Sequence, residues 1–567
     1  MNNTHLKFDR KFFRDLWQLL KPYWFSEEKG SALGLFSLYL LCIIGEICAH
    51  VGFNSFHKTF FNALQEFNKP VIITSLEKYL YVVVFYVLCL VGIFYFHGLL
   101  SARWRRWLTK NYLKKWLDNH THYRMQVLNK NVENPDQRIS EDLEKFPSAT
   151  LSLFRQFTYS VLMLFSFGYI LWNLSAKSAI PGLFFWASCL YAVLGTWVMA
   201  LIGKALAHLD YKQQQYNADF RFGLARLRET SEQVAVYRGE SSESEKFHGM
   251  LNRIFRNYLS VVSLKSRLLI FNKSYGFVAY VIGLAVSMPF YLAKSIQLGA
   301  VMQISSAFNS VNSAFSVFIE AFNDLADWRS VVHRLVEFNQ SVDSVNQASP
   351  SHIIINEHDG DDIVIRNLSL STPCGKSLLQ EVNMVILSGT MTLLNGVSGV
   401  GKSTLLRALA GLWSHGEGRV SMPKNAKKIF LPQKPYLPLG CLRDVLLYPY
   451  HQSLPDTALR HALLICGLGG LQNKLDEIKN WSHDLSLGEQ QLIAFARIFL
   501  HQPDVIFLDE STSAMDEATE FRIYKKLRES LPQATIVSVG HRSSLQKFHG
   551  SLVTLSAGLN PLLTTNV

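Results

Sequence analysis

The sequence predicts two folded parts in one chain: an α-helical domain that crosses a membrane six times, followed by an α/β domain. The first observation is composition, because 49% of the 567 residues are hydrophobic and the mean hydropathy is +0.10, which is high for a soluble chain. The second is a series of long apolar segments before residue 320. The third is an alternation of short strand-like and helix-like segments after residue 362.

The excess positive charge lies entirely in the first part. From residue 339 onward there are 20 Lys and Arg and 20 Asp and Glu, so the first 338 residues carry the whole net charge of +12. Such a bias can indicate nucleic-acid binding, but in a chain with apolar spans it is typical of cytoplasmic loops. We therefore expect this half to meet a lipid bilayer and no nucleic acid.

Residues 1–30 are predicted to form a cytoplasmic interfacial helix. Its apolar residues share one helical face: Phe8, Phe12, Leu16 and Leu19. Its basic residues fall largely on the opposite face: Lys7, Arg10, Lys11 and Arg14. Such a helix can lie along a membrane surface, and the alternative is an ordinary amphipathic helix packed on protein. We expect no signal peptide, because the N-terminus is charged and no cleavage site follows the first apolar run.

The transmembrane domain is predicted over residues 31–338. Six segments have the roughly 20-residue apolar length that spans a bilayer: 31–53, 79–100, 156–174, 178–203, 274–293 and 295–319. Two long, basic stretches, 101–150 and 204–267, are predicted to be cytoplasmic loops. This asymmetry also places both termini and the α/β domain in the cytoplasm.

The sixth span is predicted to be amphipathic. Its apolar face consists of Val301, Ile304, Phe308, Val311, Phe315 and Phe318. Its remaining positions are polar: Gln303, Ser305, Ser306, Asn309, Ser310, Asn312, Ser313 and Ser316. Lipid offers such groups no hydrogen-bond partners, so we expect them to line a hydrated translocation cavity or, alternatively, to bond other helices in a tight bundle.

Other polar residues of the first part leave two interpretations open. Glu46 in the first span either pairs structurally or contacts a solute. Glu320, Asp324 and Asp327 below the sixth span are either cavity charges or solvated cytoplasmic ones. The seven cysteines of the chain are scattered without a C-x-x-C pair, so we expect neither a disulfide framework nor a metal site built from them.

The α/β domain is predicted over residues 363–567, after a polar, turn-rich linker at 339–362. The segment "GVSGVGKST" fits the phosphate-binding pattern G-x-x-x-x-G-K-[ST] between a strand-like and a helix-like run. Lys402 would bind the β and γ phosphates of ATP, and Ser403 would be a ligand of Mg²⁺. The phosphates would be surrounded by the loop and the helix N-terminus: Gly396, Val397, Ser398, Gly399, Val400, Gly401, Lys402, Ser403 and Thr404.

A second element of the site is the apolar strand in "DVIFLDE", residues 504–510. It would carry Asp509 to the Mg²⁺ shell. Glu510 follows and would polarise the water that attacks the phosphate. The alternative is a buried structural carboxylate.

The motifs of the second part together resemble those of ABC ATPases. The resemblance implies ATP and Mg²⁺ as cofactors, an ABC exporter-type fold for the six-span domain, and ATP hydrolysis by Glu510, His541 and Lys402. Gln433 in "IFLPQKPYLP" matches the Q-loop residue that touches Mg²⁺ and the membrane domain. Asp516 in "SAMD" matches the D-loop, and His541 in "SVGHR" matches the switch histidine that contacts the γ-phosphate.

The signature loop of this family departs from its usual form here. In "DLSLGEQQ" the residues Ser486 and Gly488 stand at matching positions, and Leu487 replaces the first glycine of a pair. The resemblance implies that this loop caps ATP bound to the opposite subunit. A backbone N–H survives the replacement if the dihedral angles suit a side chain, so we expect a working loop.

The usual adenine-stacking aromatic residue is also missing. The corresponding stretch "LSLSTPCGKSLL" has Ser371, Thr372 and Pro373 instead. Losing an aromatic contact weakens base preference by roughly 1 kcal/mol. We therefore expect weak selectivity for ATP over GTP.

The membrane half resembles the SbmA/BacA-like transporters and the D-subfamily half-transporters. The matching segments are "RWRRWLT" (103–109), "YR" (123–124), "NPDQRISEDLEKF" (134–146) and "DLADWRSVVHRL" (324–335). The resemblance implies a half-transporter that forms a two-fold homodimer with composite ATP sites. It also implies ATP-driven transport of a hydrophilic solute, such as a peptide or cobalamin, across a bacterial inner membrane, with import favoured. The alternatives are export of a lipid, fatty-acyl or drug-like solute, and an ATP-gated channel or regulator.

Overall fold

The computed structural model describes residues 9–128, 134–177, 180–347, 352–450, 453–540, 542–556 and 559–565. The chain forms two compact units. One comprises Met1–Trp116 and Glu133–Gln340, and the other comprises Leu117–Val132 and Ser341–Val567. The first unit is helical and the second is predominantly α/β, as the sequence predicts.

The described residues before 348 form helices, most of them long. They are α1 Arg10–Trp24, α2 Lys29–Gln65, α3 Lys69–Leu117, α4 Thr121–Leu128, α5 Pro135–Gln137, α6 Leu143–Leu174, α7 Leu183–Glu229, α8 Ser231–Val236, α9 Glu240–Leu292 and α10 Leu298–Gln347. A π-helical turn, Arg138–Asp142, joins α5 to α6. Each predicted span falls on one long helix, in the order α2, α3, α6, α7, α9 and α10; positions 178–179 of the fourth span lie outside the described residues.

These helices differ in the length of their apolar segments. Within the described residues, four helical stretches are long and apolar enough to cross a membrane: Lys29–Gln65, Lys69–Val127, Pro135–Leu174 and Glu240–Leu292. Helix α7 contributes a shorter apolar segment, Leu183–Met199. Helix α10 carries the polar residues already noted in the sixth predicted span, which lower its mean hydropathy.

The two stretches predicted as long loops are largely helical. Residues 204–267 consist of the ends of α7 and α9 with α8 between them, and residues 101–128 belong to α3, a short turn at Asp118–His120, and α4. Most of their residues extend the helices that carry the predicted spans. Helix α9 has 53 residues, about 80 Å at 1.5 Å per residue, and so greatly exceeds the roughly 30 Å of a bilayer core.

Glycines allow α2 and α3 to pack closely. A Cβ on Gly45 would lie 2.6 Å from Cys89 Sγ, and a Cβ on Gly92 would lie 2.6 Å from Cys42 Sγ. Small residues at such contacts let helices approach in lipid, where no hydrophobic effect drives their association. All seven cysteines are free thiols.

Helix α1 packs on protein through the face predicted to meet the membrane. The ring of Phe12 lies 5.9 Å from that of Trp328 on α10, and Leu19 is buried. These contacts support the alternative of a helix packed on protein for this face; Phe8 and Lys7 lie outside the described residues. Phe13 and Trp17, each 57% exposed, form another apolar side of α1, for which an interfacial position stays a prediction.

Helix α10 buries its predicted apolar face, including Val301, Ile304, Phe308 and Val311. Its polar residues fall into two groups. Gln303, Ser305 and Asn312 are buried. Ser305 Oγ donates to the Tyr280 carbonyl at 2.7 Å, so the interhelical alternative holds for Ser305, whereas Gln303 Oε1 and Asn312 Oδ1 have no hydrogen-bond partner within the described residues. The second group, spaced by three and four residues, is partly or fully exposed: Ser306, Asn309, Ser313 and Ser316.

The second unit contains strands β1 His352–His358, β2 Ile363–Ser371, β3 Ser377–Ile386, β4 Met391–Gly396, β5 Gly416–Pro423, β6 Lys428–Leu431, β7 Gly440–Cys441, β8 Ile478–Lys479, β9 Val505–Asp509, β10 Thr535–Val539, β11 Ser551–Ser556 and β12 Leu559–Thr565. Its further helices are α11 Lys402–Leu409, α12 Leu442–Leu447, α13 Asp456–Ile465, α14 Trp481–Asp484, α15 Leu487–His501 and α16 Glu517–Ser530.

Two sheets organise this unit. The larger has the order β12-β11-β4-β10-β9-β6 and is parallel except for its edge strand β12. The smaller is mixed, with the order β1-β5-β2-β3. Strand β10 is buried along its whole length, as is typical of a parallel strand covered on both faces.

Much of the predicted linker at 339–362 is regular secondary structure. Helix α10 continues to Gln347, with Val342 and Val345 buried, and β1 pairs in parallel with β5. Residues 348–351 lie outside the described residues. The helical spacing of Phe338, Val342 and Val345 is the signal that the polar residues around it obscured.

Candidate functional site

The phosphate-binding sequence forms a loop between β4 and α11, at the carboxyl edge of the larger sheet. Three glycines have a left-handed backbone: Gly396 (φ 146°), Gly399 (φ 82°) and Gly401 (φ 110°). A Cβ on Gly396 would lie 2.5 Å from the Leu555 carbonyl oxygen. A side chain is therefore excluded at Gly396, where the backbone turns so that the N–H groups of the loop can face bound phosphate.

The other positions of the phosphate-binding loop differ in burial. Val400 is buried, whereas Val397 is 70% exposed. Ser398 lies between them, and Thr404 lies in the first turn of α11. The helix N-terminus at this end attracts anions because its first N–H groups have no partners within the helix.

Lys402 is buried at the first position of α11. Its ammonium group donates to the carbonyl oxygens of Gly396 at 2.8 Å and Val397 at 3.1 Å. Burial lowers the pKa of Lys402, against the opposing effect of the nearby Glu510 and Asp509 carboxylates. The cation is thus held over the loop, where phosphate oxygens can replace the two carbonyls.

Ser403 and Asp509 come together from different elements. Ser403 Oγ donates to Asp509 Oδ1 at 2.7 Å, because parallel strands β4 and β9 both end at this edge of the sheet. A hydroxyl and a carboxylate oxygen this close suit Mg²⁺, which prefers hard oxygen ligands and keeps several waters. When bound, the ion would neutralise phosphate charge, with Ser403 and Asp509 holding its shell.

Glu510 lies directly beyond β9 with φ 47°, and its N–H donates to the Val539 carbonyl at 3.0 Å. Gln433 Nε2 donates to Glu510 Oε2 at 3.1 Å. The Q-loop amide and the predicted base are therefore neighbours. A carboxylate next to the phosphate-binding loop can orient and polarise a water for attack.

The signature segment begins helix α15. Ser486 is the N-cap, its hydroxyl accepts from the Glu489 N–H, and the Glu489 carboxylate accepts from the Ser486 N–H at 2.9 Å. Leu487 is the first helical residue and is 41% exposed. A Cβ on Gly488 would lie 3.0 Å from the Ala514 carbonyl oxygen. A side chain at the second glycine would therefore make a tight contact with this carbonyl, whereas a side chain at the first is accommodated.

Two further polar residues that the motif matching missed connect these segments. Gln491 Nε2 donates to the Gln433 carbonyl at 2.8 Å, and its Oε1 accepts from the Ala514 N–H at 3.2 Å. Arg542 donates to the carbonyls of Met515 at 2.7 Å and Ser513 at 3.0 Å. Arg542 directly follows His541, and Gln491 lies three residues after Gly488. This closeness to motif residues was the signal in the sequence that could have identified them.

The structure brings together Lys402, Ser403, Asp509, Glu510 and Gln433. Asp516 has a separate role as the N-cap of α16, where its carboxylate accepts from the Thr519 N–H at 3.2 Å. Ser486 caps α15, and Gly488 lies in the first turn of that helix. His541 lies outside the described residues.

The stretch at the predicted adenine position forms a turn between β2 and β3, in which the Thr372 N–H donates to the Lys376 carbonyl at 2.8 Å. Trp413 Nε1 donates to the Ser371 carbonyl at 3.0 Å. An aromatic side chain from another segment therefore lies beside this turn. Weak selectivity for ATP over GTP stays a prediction.

The helical unit contains an ion pair of which the sequence analysis named only one partner. Glu46 on α2 is nearly buried and contacts Arg155 on α6 at 3.3 Å. One turn further along both helices, His50 Nε2 and Tyr159 Oη lie 3.3 Å apart. The structural pairing foreseen for Glu46 is thus present.

Asp324 and Asp327 line a cavity of about 350 Å³ between α6 and α10, together with Lys145, Ser148 and Ser152. Burial raises the pKa of Asp327, helped by the neighbouring carboxylates of Asp324 and Asp210. Both aspartates are also exposed to solvent, so the two interpretations, cavity charges and solvated cytoplasmic charges, stay open for them. The Glu320 side chain lies outside the described residues.

A long helical unit joined to a unit with a phosphate-binding loop, a magnesium-suited pair and a signature helix defines an ATPase-coupled membrane protein. The ABC transporter transmembrane region 2 model matches residues 19–292, and the ABC transporter model matches residues 379–513. The chain is 30% identical to ABC transporter D family member 2 of Arabidopsis thaliana, over 96% of this chain and 86% of the relative. It is also 30% identical to the inner membrane ABC transporter ATP-binding protein YddA of Escherichia coli, over 95% and 97%.

Two other similarities agree. The human lysosomal cobalamin transporter ABCD4 is 28% identical over 81% of each chain. The structure of a bacterial Atm1-family ABC exporter with ATP bound matches with a TM-score of 0.71 over 95% of each chain, at 16% identity. The chain belongs to the ABC transporters, in the group of D-family and YddA-like proteins. It is a multi-pass membrane protein that couples ATP hydrolysis to transport.

Proposed function

We propose that this chain forms a two-fold homodimer that imports a hydrophilic solute across a bacterial inner membrane by alternating access. A single membrane part followed by a single ATPase part supports the dimer, because the signature loop of one subunit must then meet the phosphate-binding loop of another. The placement beside SbmA/BacA-like transporters is part of the same proposal and rests on the segments at 103–109, 134–146 and 324–335.

The observation that carries the hydrophilic cargo is the open polar face of α10. Ser306, Asn309, Ser313 and Ser316 recur at helical spacing without being buried, and the charged cavity with Asp324 and Asp327 continues below them. Lipid cannot satisfy these groups, so a face of this kind meets water or solute. The buried group on the same helix supplies the packing against α2 and α9.

In the proposed cycle, Lys402 and the loop N–H groups bind ATP, and Ser403, Asp509 and Gln433 would hold Mg²⁺, which would neutralise phosphate charge. Ser486, Gly488 and Asp516 of the partner complete each ATP site. Glu510, aided by His541, activates water, and hydrolysis resets the dimer. Binding shifts the helices only by the difference in ATP affinity between the two states.

Uptake of labelled cobalamin tests this proposal. Cells that lack other uptake routes would express either the wild-type chain or Glu510→Gln at equal membrane levels. We expect accumulation only with wild type, because the amide retains ATP binding but cannot act as a base. No accumulation by either form would remove cobalamin import, and accumulation by both would indicate an ATP-gated path.

A second candidate is export of an apolar or acyl-bearing solute. A cavity of about 460 Å³ lies among α6, α7 and α10 and is lined almost wholly by apolar side chains, among them Phe165, Trp172, Phe185 and Phe315. Paired variants separate the candidates. If the chain imports a hydrophilic solute, Asn309→Leu should abolish uptake and Phe165→Asn should not. If it exports a lipid-like solute, Phe165→Asn should abolish export and Asn309→Leu should not.

A further inference from the structure

The chain passes between its two compact units three times, after Trp116, before Glu133 and after Gln340. On the side of the helical unit, the segments next to the first two passages are both bound to α10. Helix α10 itself makes the third passage. The contacts that bind these segments are all buried or partly buried.

The first contact is an ion pair at the start of α6. Asp142 is 2% exposed. Arg334 on α10 donates to both of its carboxylate oxygens, from Nη2 at 2.6 Å and Nε at 2.8 Å. Arg138 in the π-helical turn adds a third bond at 3.1 Å. The hydrogen bonds with Asp142 are the largest cause of the raised pKa of Arg334.

The second contact joins α3 to α10, one turn beyond Arg334. The rings of Tyr112 and Phe338 stack with centroids 5.7 Å apart. Asn339 Nδ2 donates to Tyr112 Oη at 2.7 Å. Tyr112 and Phe338 are both buried.

These contacts constrain orientation as well as distance. A two-bond guanidinium–carboxylate fork holds its partners in one plane. Removing Arg334 leaves the buried Asp142 carboxylate with Arg138 alone, and removing Asp142 leaves the partly buried Arg334 without its main partner, although such pairs add little net stability over apolar packing. Helix α10 therefore cannot slide or rotate against the start of α6 without breaking the fork.

We propose that Tyr112, Asp142, Arg334, Phe338 and Asn339 form a crossing clamp that makes the three chain passages move as one body, with Arg334 as its positioning residue. The clamp converts a movement of the ATPase unit into a movement of α3, α6 and α10 together. Without it, ATP still binds, but its effect stays in the ATPase unit. The proposal does not depend on the solute or on the direction of transport.

Hydrogen–deuterium exchange of the full chain in nanodiscs, with and without ATP and Mg²⁺, tests the clamp. In wild type we expect ATP to alter exchange in peptides covering 396–404 and in peptides covering 143–174 and 298–340. In Arg334→Gln the first response should remain, while the response of the helical peptides should fall by about threefold to tenfold. Arg334→Lys, which keeps the charge but loses the fork, should fall between them.

Asp142→Asn is the second variant, because it nearly preserves volume and should uncouple in the same way even if Arg334→Gln folds poorly. Arg105→Gln is the matched control, since Arg105 pairs with Glu144 at 2.9 Å with both side chains exposed, and exposed pairs contribute little. Wild-type responses in both clamp variants, or loss of the response at 396–404 as well, would overturn the proposal. So would uncoupling in Arg105→Gln, or a wild-type chain whose helical peptides ignore ATP.

Discussion

Individual residues explain why the altered signature loop is compatible with a working ATPase. Leu487 occupies a helical position with its side chain partly in solvent, so the backbone N–H groups at the start of α15 are kept. Gly488 faces a carbonyl oxygen that leaves no comfortable room for a Cβ. The two positions of the usual glycine pair are therefore not equivalent in this protein.

This difference predicts opposite outcomes for two single substitutions. Leu487→Gly should leave the rate of ATP hydrolysis within about twofold of wild type and destabilise α15 by about 0.5–1 kcal/mol, because glycine is less favourable in a helix. Gly488→Ala should lower the rate more strongly, since its Cβ pushes α15 away from Ala514. Steady-state ATPase assays on the purified chain measure both. Faster hydrolysis by Leu487→Gly would show that Leu487 impairs the loop.

At the scale of elements, the sequence predicted the type of most segments and misjudged their ends. Apolar length located the spans, and the glycine pattern located the phosphate-binding loop, because both signals are local. The extensions of α7, α9 and α10 were missed because their stabilising contacts come from distant segments, such as Tyr112 against Phe338. Polar composition there reflects water around a long helix, not the absence of one.

One buried histidine makes the larger sheet sensitive to acid. His549 Nδ1 lies 2.7 Å from the Leu545 carbonyl oxygen and Nε2 lies 2.8 Å from Ser538 Oγ on β10. The carbonyl can only accept, so Nδ1 carries the proton of a neutral ring. Burial lowers the pKa of His549 in the folded state.

The lowered pKa sets the direction of a pH effect. Below the ordinary histidine value of about 6.5, the unfolded chain binds a proton that the folded chain does not, so stability falls by up to about 1.4 kcal/mol per pH unit. We expect the midpoint temperature of the thermal unfolding transition that responds to ATP to fall when the pH is lowered from 7.5 to 5.5. His549→Gln should reduce this shift without abolishing it, since burial also lowers the pKa of His415 and His501. An unchanged shift in the variant would contradict the assignment.

At the scale of the whole molecule, the ATP site is incomplete in one chain if the dimer is as proposed. The sequence identified residues that the structure brings together around Lys402, and it also identified Ser486 and Gly488, which in the proposed dimer would contact ATP bound to the partner subunit. What it could not reveal were contacts between separate segments, such as Glu46 with Arg155 or Asp142 with Arg334. No local pattern encodes the partner in such a pair.

Mixed dimers test this arrangement. Lys402→Ala and Ser486→Ala chains should each have little ATPase activity alone. Co-expressed in equal amounts, they should recover about a quarter of the wild-type rate, because half of the dimers are mixed and carry one intact site. Co-expression of Lys402→Ala with Lys402→Ala carrying a second tag is the control. Activity no higher in the mixture than in either parent would contradict composite sites.

The three passages of the chain between its units also limit how its gene could be split into two. Because Leu117–Val132 belongs with Ser341–Val567, no single cut in the coding sequence yields two complete products. A separately encoded ATPase beginning at Ile363 would lack α4, whose Thr121 bonds Asn346 at the end of α10 at 3.3 Å. If the gene were split, each protein product would lack a segment that packs in its compact unit. The fold therefore requires the permease and the ATPase to be encoded as one chain.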